Sequence, residues 1–257
     1  PIALHADHSK RVLEAGKHVW CEKPVTADLA TATALIDLAR SRSRSLLEGF
    51  MYLHHPQFHE LSALVAGGGV GTPVSMSSRF GLPPLDAPGF RVHPELGGGA
   101  LMDVGCYPVS LMVALMGAAP YTVRSASVVT RGGWMVDTDG YALVECANGV
   151  VAHLEWRINS SYRNDADVWG DRGAVFTDRI FSKPSDFVPE LRVRDDKGVE
   201  RREVGMSGDH FALTFRDFRT IMDDSSAVEA GYRDVALRAA LLDDIRVCAD
   251  SNRPRKA

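Results

Sequence analysis

The run His18–Cys21 constrains this chain more than any other stretch. It is a short apolar segment closed by Glu22, Lys23 and Pro24. Upstream, from about Asp7, Val12, Leu13 and Ala15 have helical spacing, and Gly16 stands where a helix stops. A short apolar run that follows a helix and ends at a proline reads as a buried strand of an α/β unit. Proline holds the residue before it in the extended region, which pins Lys23 at the carboxyl edge of that strand. In open parallel sheets that edge is where ligands bind.

From Thr26 to Arg40, Leu29, Ala32, Leu35, Ile36 and Ala39 form one apolar helical face, with Thr26 as the expected cap. A second strand is expected over about Ser45–Met51. The intervening Arg40–Ser45, RSRSRS, is too short to make a domain and reads as a solvated helix end rather than a nucleic-acid tract. Beyond Met51 the grammar changes. Pro56 opens a helix to about Ala66, GGGVGTP turns the chain, and Val74–Phe80 reads as a strand. From Thr122 the pattern is mostly β. Strands are expected at 123–130, 141–147 and 150–158, the last two joined by Asn148–Gly149, a strong hairpin signal. A further hairpin turns at DDKG between 191–194 and 199–204, and helices over about 210–223 and 232–249 close the chain. The expected fold is α/β: a βα fragment, then an α+β domain on a largely antiparallel sheet. Residues 1–50 make the first unit and 51–257 the second, with the last helix available to pack back on the first.

Composition narrows the function. With 257 residues, 45% hydrophobic and a formal net charge of -4, the chain has the make-up of a globular protein and no nucleic-acid footprint. No apolar run is expected to approach the roughly 18–20 residues that a membrane span requires. Cys21, Cys106, Cys146 and Cys248 lie far apart without a C-x-x-C pair and read as reduced core residues of a cytoplasmic protein. A small-molecule partner is therefore expected, with neither nucleic acid nor membrane. The chain opens PIALHADH, without an initiator methionine, so its true amino terminus is expected upstream, where a signal peptide is not readable.

The second informative stretch is His93–Gly117, HPELGGGALMDVGCYPVSLMVALMG. Gly97–Gly99 lead into a helix, where missing side chains would let a ligand approach backbone N–H groups. Asp103 and Tyr107 are spaced i, i+4, on one helical face. Spacing alone leaves two readings, a capping aspartate with a buried tyrosine or a carboxylate beside a working phenol. Pro108 should bend the helix beside them. Two other patterns carry less. His55, His59 and Glu60 have metal-like spacing, but Pro56 makes that stretch a helix start, and no metal site is expected; GGGVG lacks the Lys-Ser/Thr of a phosphate loop.

Taken together, LHADHSKRVLEAGKHVWCEKPVT, EGFMYLHHPQF and PELGGGALMDVGCYPVSLM resemble the Gfo/Idh/MocA oxidoreductases, in the family's order and over essentially the whole chain. The resemblance implies that the first unit is a partial Rossmann dinucleotide-binding domain and that the sheet of the second is open-faced, and it implies an NAD- or NADP-dependent dehydrogenase acting on CH–OH groups of a sugar or vicinal diol. It implies that Lys23 lies against the nicotinamide and the substrate hydroxyl, that Tyr107 is the base, and that Asp103 bonds substrate or orients the base. Pro1, His5, Glu22, Lys23 and Pro24 would lie by the cofactor. Tyrosine at 107, where many relatives have histidine, is typical of the glucose-fructose oxidoreductase, xylose dehydrogenase and dimeric dihydrodiol dehydrogenase branch. A phenol is a poor base near neutral pH unless a cation such as Lys23 favours phenolate. The resemblance also implies a homodimer through the open sheet face. Two rivals remain: a non-catalytic regulator or sugar sensor of the same fold, and an NAD-dependent glycosidase. Ile2 and Leu53 depart from the family's usual Asn and Arg. The G-x-G-x-x-G turn is not among the 257 residues. The expectation is thus that these residues alone neither bind a dinucleotide nor turn over a sugar, and that the apolar face of HVWC is left exposed.

Overall fold

The computed structural model describes residues 1–26, 28–117 and 120–251. A short 3-10 turn leads into α1 (His5–Glu14) and β1 (Val19–Cys21); α2 (Leu29–Ser41) then crosses to β2 (Leu46–Glu48). β1 and β2 pair in parallel with Trp20 opposite Leu47, the arrangement for which a crossover helix is needed. The cap of α2 is Asp28, whose carboxylate accepts from Thr31 N–H at 2.8 Å. Thr26 does not cap: its hydroxyl donates to the carbonyl of Asp28 and is used up in the preceding turn. β2 stops short of Met51 because Met51–His54 coil into a 3-10 turn that carries Tyr52 into the core.

After α3 (Pro56–Ala66) and β3 (Pro73–Gly81) comes a π-helical turn, Leu101–Gly105, continuous with α4 (Cys106–Met116). Seven more strands follow: β4 (Tyr121–Val129), β5 (Asp139–Cys146), β6 (Val151–Arg157), β7 (Arg163–Gly170), β8 (Gly173–Asp178), β9 (Glu190–Asp195) and β10 (Glu200–Val204). Helices α5 (His210–Ile221) and α6 (Ser225–Ser251) end the described chain. The large sheet runs β10-β9-β8-β7-β3-β6-β5-β4, antiparallel at every pair except β3 with β6. β3 is inserted between two strands that would otherwise be sequential neighbours, and this creates the single parallel pair.

Alternation along the strands gives the sheet two unlike faces. In β6, Ala152, Leu154 and Trp156 are buried while His153, Glu155 and Arg157 are exposed. The buried face packs on α4 and α6; the other is open. β7 and β8 are not among the expected strands; in β7, Asp165 and Asp167 interrupt the apolar alternation with residues that strands disfavour. Asp165 is nevertheless buried, and it is held there by arginines.

The segment Pro94–Met116 corrects one sequence expectation: its 23 residues are long and apolar enough for a membrane span, but 89% of its most apolar 18-residue window is buried inside the protein. It is a core helix. The apolar face of HVWC is not exposed either. Val19 and Cys21 pack with Leu13, Leu35, Ile36 and, from α6, Tyr232, Val235 and Ala239, while Trp20 lies 6.0 Å from Phe215 and 6.5 Å from Phe218 of α5. The two C-terminal helices supply the cover.

Candidate active site

Lys23 leaves the end of β1 at a cis Lys23–Pro24 peptide and points at the π-helical turn before α4. Its Nζ donates to the Asp103 carbonyl at 2.5 Å and faces Asp103 Oδ1 at 3.4 Å. The same ammonium sits 4.7 Å from the centroid of the Tyr107 ring. Three residues separated by up to 84 positions in the chain therefore form one cluster, as the resemblance implied. The bend expected beside Pro108 takes the form of the π turn: proline cannot donate to the Val104 carbonyl, and the backbone widens just before it.

Asp103 is claimed on its other side by Arg91, whose Nε donates to Oδ2 at 2.5 Å. Arg91 comes from the loop between β3 and the glycine run, and it explains that run. Gly99 N–H donates to the Arg91 carbonyl at 3.1 Å, and a Cβ on Gly98 would stand 2.6 Å from the same oxygen. A Cβ on Gly99 would collide with the Asp137 carboxylate, which also accepts from Leu101 N–H at 2.6 Å and caps the helix start. The glycines thus make room for the protein's own loops. The sequence expectation of a ligand over their N–H groups is corrected: those groups already have partners.

Tyr107 is enclosed by Phe50, Phe80 and Phe181 with ring centroids 5.4, 5.1 and 5.3 Å away. Its hydroxyl has a weak partner, Met51 Sδ at 3.7 Å. Burial pushes the phenol up to about 12, and the nearby Lys23 only partly offsets this. Lys23 does favour phenolate, as expected, but desolvation is the larger effect and the phenol stays protonated near neutrality. Burial also works against the charge on Lys23, while the Asp103 carboxylate beside it favours the ammonium, which is held more firmly than usual. At neutral pH the pair is a cation beside a neutral phenol.

The remaining expected residues are more dispersed. His5 Nδ1 donates to the Pro24 carbonyl at 2.8 Å and ties α1 to the lysine loop; Pro24 is buried, whereas Pro1 and Glu22 are exposed. Of the metal-like trio, His55 Nδ1 accepts from Gln57 N–H as the cap of α3, and His59 Nε2 donates to the Leu53 carbonyl. Sequence reasoning missed Arg91, Glu48 and Arg238. Glu48 ends an apolar strand, and Arg238 falls on the apolar stripe of α6 with Val235, Ala239 and Leu242. A charge set into an apolar pattern was the available signal for that pair. Glu48 Oε1 accepts from Val25 N–H at 2.8 Å and so holds the loop just after Lys23.

Known proteins resemble this chain over most of its length. Residues 1–50 match the model of the oxidoreductase family with an NAD-binding Rossmann fold, and residues 58–176 match the GFO/IDH/MocA C-terminal domain. The dTDP-3,4-didehydro-2,6-dideoxy-alpha-D-glucose 3-reductase of Streptomyces violaceoruber is 37% identical over 206 residues, covering 79% of this chain and 59% of that protein. The enzyme of the same name from Actinomadura kijaniata is 32% identical over 249 residues, 97% of this chain and 74% of that one. A solved 3-ketoreductase from Actinomadura kijaniata, in complex with NADP and TDP-benzene, superposes with a TM-score of 0.90 at 31% identity, over 96% of this chain and 76% of that one. The chain belongs to the GFO/IDH/MocA family of oxidoreductases. It spans 59% of the length of the Streptomyces violaceoruber relative.

Proposed function

We propose that this chain carries the substrate-side machinery of an NAD(P)-dependent oxidoreductase acting on a sugar or vicinal diol, and that reduction of a sugar ketone is its favoured direction. The observation that carries the reading is the neutral, buried Tyr107 beside the charged Lys23. The donor set fits the nicotinamide end of a dinucleotide: a cation and a phenol meet at the carboxyl edge of a parallel pair, and Asp103, the carboxylate beside them, is already paired on both sides. Pro1, His5, Glu22, Lys23 and Pro24 would hold that end. A bound nicotinamide supplies or accepts the hydride.

The protein's own part follows from charge. As a carbonyl carbon gains hydride, its oxygen becomes basic; Lys23 stabilises the developing negative charge and Tyr107 Oη gives up its proton to it. The phenolate left behind, stabilised by the same ammonium, regains a proton from water. Oxidation is the reverse, and the raised phenol pKa makes it the harder direction near neutrality. Asp103 and Arg91 hold Lys23 in place. Relatives named as dTDP-sugar 3-reductases and as a D-xylose 1-dehydrogenase (NADP(+)) support a sugar, including one carried on a nucleotide, and NADP, while the NAD-binding Rossmann family model supports NAD. The reading places the protein in the cytoplasm as a homodimer that pairs through the open face of its sheet.

The test is a panel of nucleotide-linked keto sugars, free sugars and diols with the full-length gene product, followed by nicotinamide absorbance. Lys23→Met and Tyr107→Phe should each lower kcat by about 10²–10⁴-fold, with the double variant little worse than either. Asp103→Asn should be milder. Additive losses, or full activity in Tyr107→Phe, would overturn the assignment.

A further inference from the structure

The hydroxyl of Tyr107 ends at a sulfur. Phe50, Phe80 and Phe181 surround the ring, and the acceptor for its proton is the thioether of Met51, 3.7 Å away. A thioether is a weak acceptor. That suits a proton which has to be handed on: the sulfur orients the hydroxyl in the resting protein and yields it to a substrate oxygen, which binds the same proton more strongly.

The fold fixes the backbone of Met51 and leaves its side chain room to adapt. Met51 opens the 3-10 turn after β2, between the buried Phe50 and the buried Tyr52. Its carbonyl accepts from the Thr214 hydroxyl of α5 at 3.4 Å, and Leu53 N–H closes the turn on the Phe50 carbonyl at 3.1 Å. Beyond Cβ the side chain is unbranched and carries a soft, polarizable sulfur. Of the eight methionines, four are buried in the core, Met135 and Met206 are 77% and 67% exposed, and Met51 is half-buried. Met51 thus combines partial exposure with a hydrogen bond from the proton donor of the site.

We propose that Met51 is a site of reversible oxidation that controls the proton of Tyr107: a peroxide converts the thioether to the sulfoxide, whose oxygen takes both the hydroxyl proton and the place of the substrate oxygen. A sulfur lone pair attacks one oxygen of hydrogen peroxide, and the S–O bond forms as the O–O bond breaks. The transferred hydroxyl passes its proton to the departing hydroxide, which leaves as water; sulfur is oxidised by two electrons and the peroxide is reduced. The S–O dipole accepts far more strongly than the thioether did, and a hydrogen bond from the neutral phenol favours its protonated form. Cysteine is not a rival target here. Cys106, whose Sγ donates to the Asp103 carbonyl at 3.7 Å, is buried, and burial pushes its thiol up to about 12, so it offers almost no thiolate to peroxide near neutrality.

Because this role rests on Tyr107 as the proton donor, the contact and the turnover are read separately. The full-length gene product is labelled with carbon-13 at its methionine methyls, followed by NMR, and treated with hydrogen peroxide. The Met51 methyl signal, identified through Met51→Leu, should shift in Tyr107→Phe before treatment, and its sulfoxide signal should differ again between wild type and Tyr107→Phe afterwards. Identical sulfoxide signals in the two overturn the proposal whether or not a substrate has been found. With a substrate from the panel, turnover should fall at least about tenfold in step with conversion of Met51. It should return with methionine sulfoxide reductase and dithiothreitol but not with dithiothreitol alone. Met51→Leu should lose no further activity to peroxide, whereas Met135→Leu and Met206→Leu should stay as sensitive as the wild type. Oxidation that spares Met51, full turnover with Met51 oxidised, recovery by dithiothreitol alone, or undiminished peroxide sensitivity in Met51→Leu also overturns it.

Discussion

Arg238 of α6 donates through Nε to Glu48 at the end of β2, at 2.6 Å, and the two side chains are 6% and 4% exposed. Asp234 stands 3.8 Å from the same guanidinium, and the Phe50 ring lies under it at 5.2 Å. A buried pair of this kind is costly to break from one side, because the surviving charge loses its partner in a medium that cannot solvate it. Glu48→Gln should therefore destabilise the protein by about 3–5 kcal/mol, read from urea unfolding midpoints. The double change Glu48→Leu with Arg238→Met removes both charges and should recover most of that loss. A double variant as unstable as the single would show that the pair has some role other than charge matching.

Arg91 touches Asp103, and Asp103 touches Lys23. Arg91→Ala should free one carboxylate oxygen and loosen the lysine, lowering kcat by about tenfold with a smaller change in KM. Arg91→Lys keeps the charge but not the planar fork, and should restore only part of the rate. An equal loss in both variants, accompanied by a lowered melting temperature, would mean that Arg91 serves only the loop fold.

His55 is fully buried, and burial, with Lys183 and His210 nearby, lowers its pKa from the usual imidazole range to about 4. Burial likewise lowers Lys183 to about 7 and depresses His210. Among the described residues, His210 Nδ1 has no hydrogen-bond partner. The folded state thus binds fewer protons than the unfolded one between about pH 6.5 and 4, so stability falls as pH drops through that window. Thermal melts from pH 7.5 to 4.5 should show this decline. His55→Asn keeps a capping acceptor for Gln57 N–H and should flatten it; an unchanged slope in that variant would remove His55 from the account.

Much of the first unit was legible because local rules there agree with one another. Pro24, Gly16 and the spacing of Leu35, Ile36 and Ala39 all specify the same βα arrangement, and the structure keeps it. Hairpins were legible where turn residues announced them, as at Asn148–Gly149. The rest required knowledge of partners distant in sequence. Asp28 outcompetes Thr26 as a cap because Thr26 is spent on a turn; β7 is hidden by Asp165, whose burial makes sense only once Arg79 and Arg163 are beside it. Lys23, Asp103 and Tyr107 could be named from motifs, but the direction of the phenol's shift could not. It depends on three aromatic rings brought in from β2's exit, β3 and the segment after β8, a packing that no local pattern encodes.

α6 runs unbroken for 27 residues, and its two ends belong to different hydrophobic clusters. Tyr232, Val235 and Ala239 close the cluster around β1, while Leu241, Leu242 and Ile245 close the one beneath the large sheet. Such a helix is about 40 Å long and behaves as a stiff rod on that scale. It therefore acts as an axle through the molecule: any opening of the gap between Lys23 and Tyr107 must be a rotation about α6 or a slide along it, since pulling the two sides straight apart would strip one cluster of its lid.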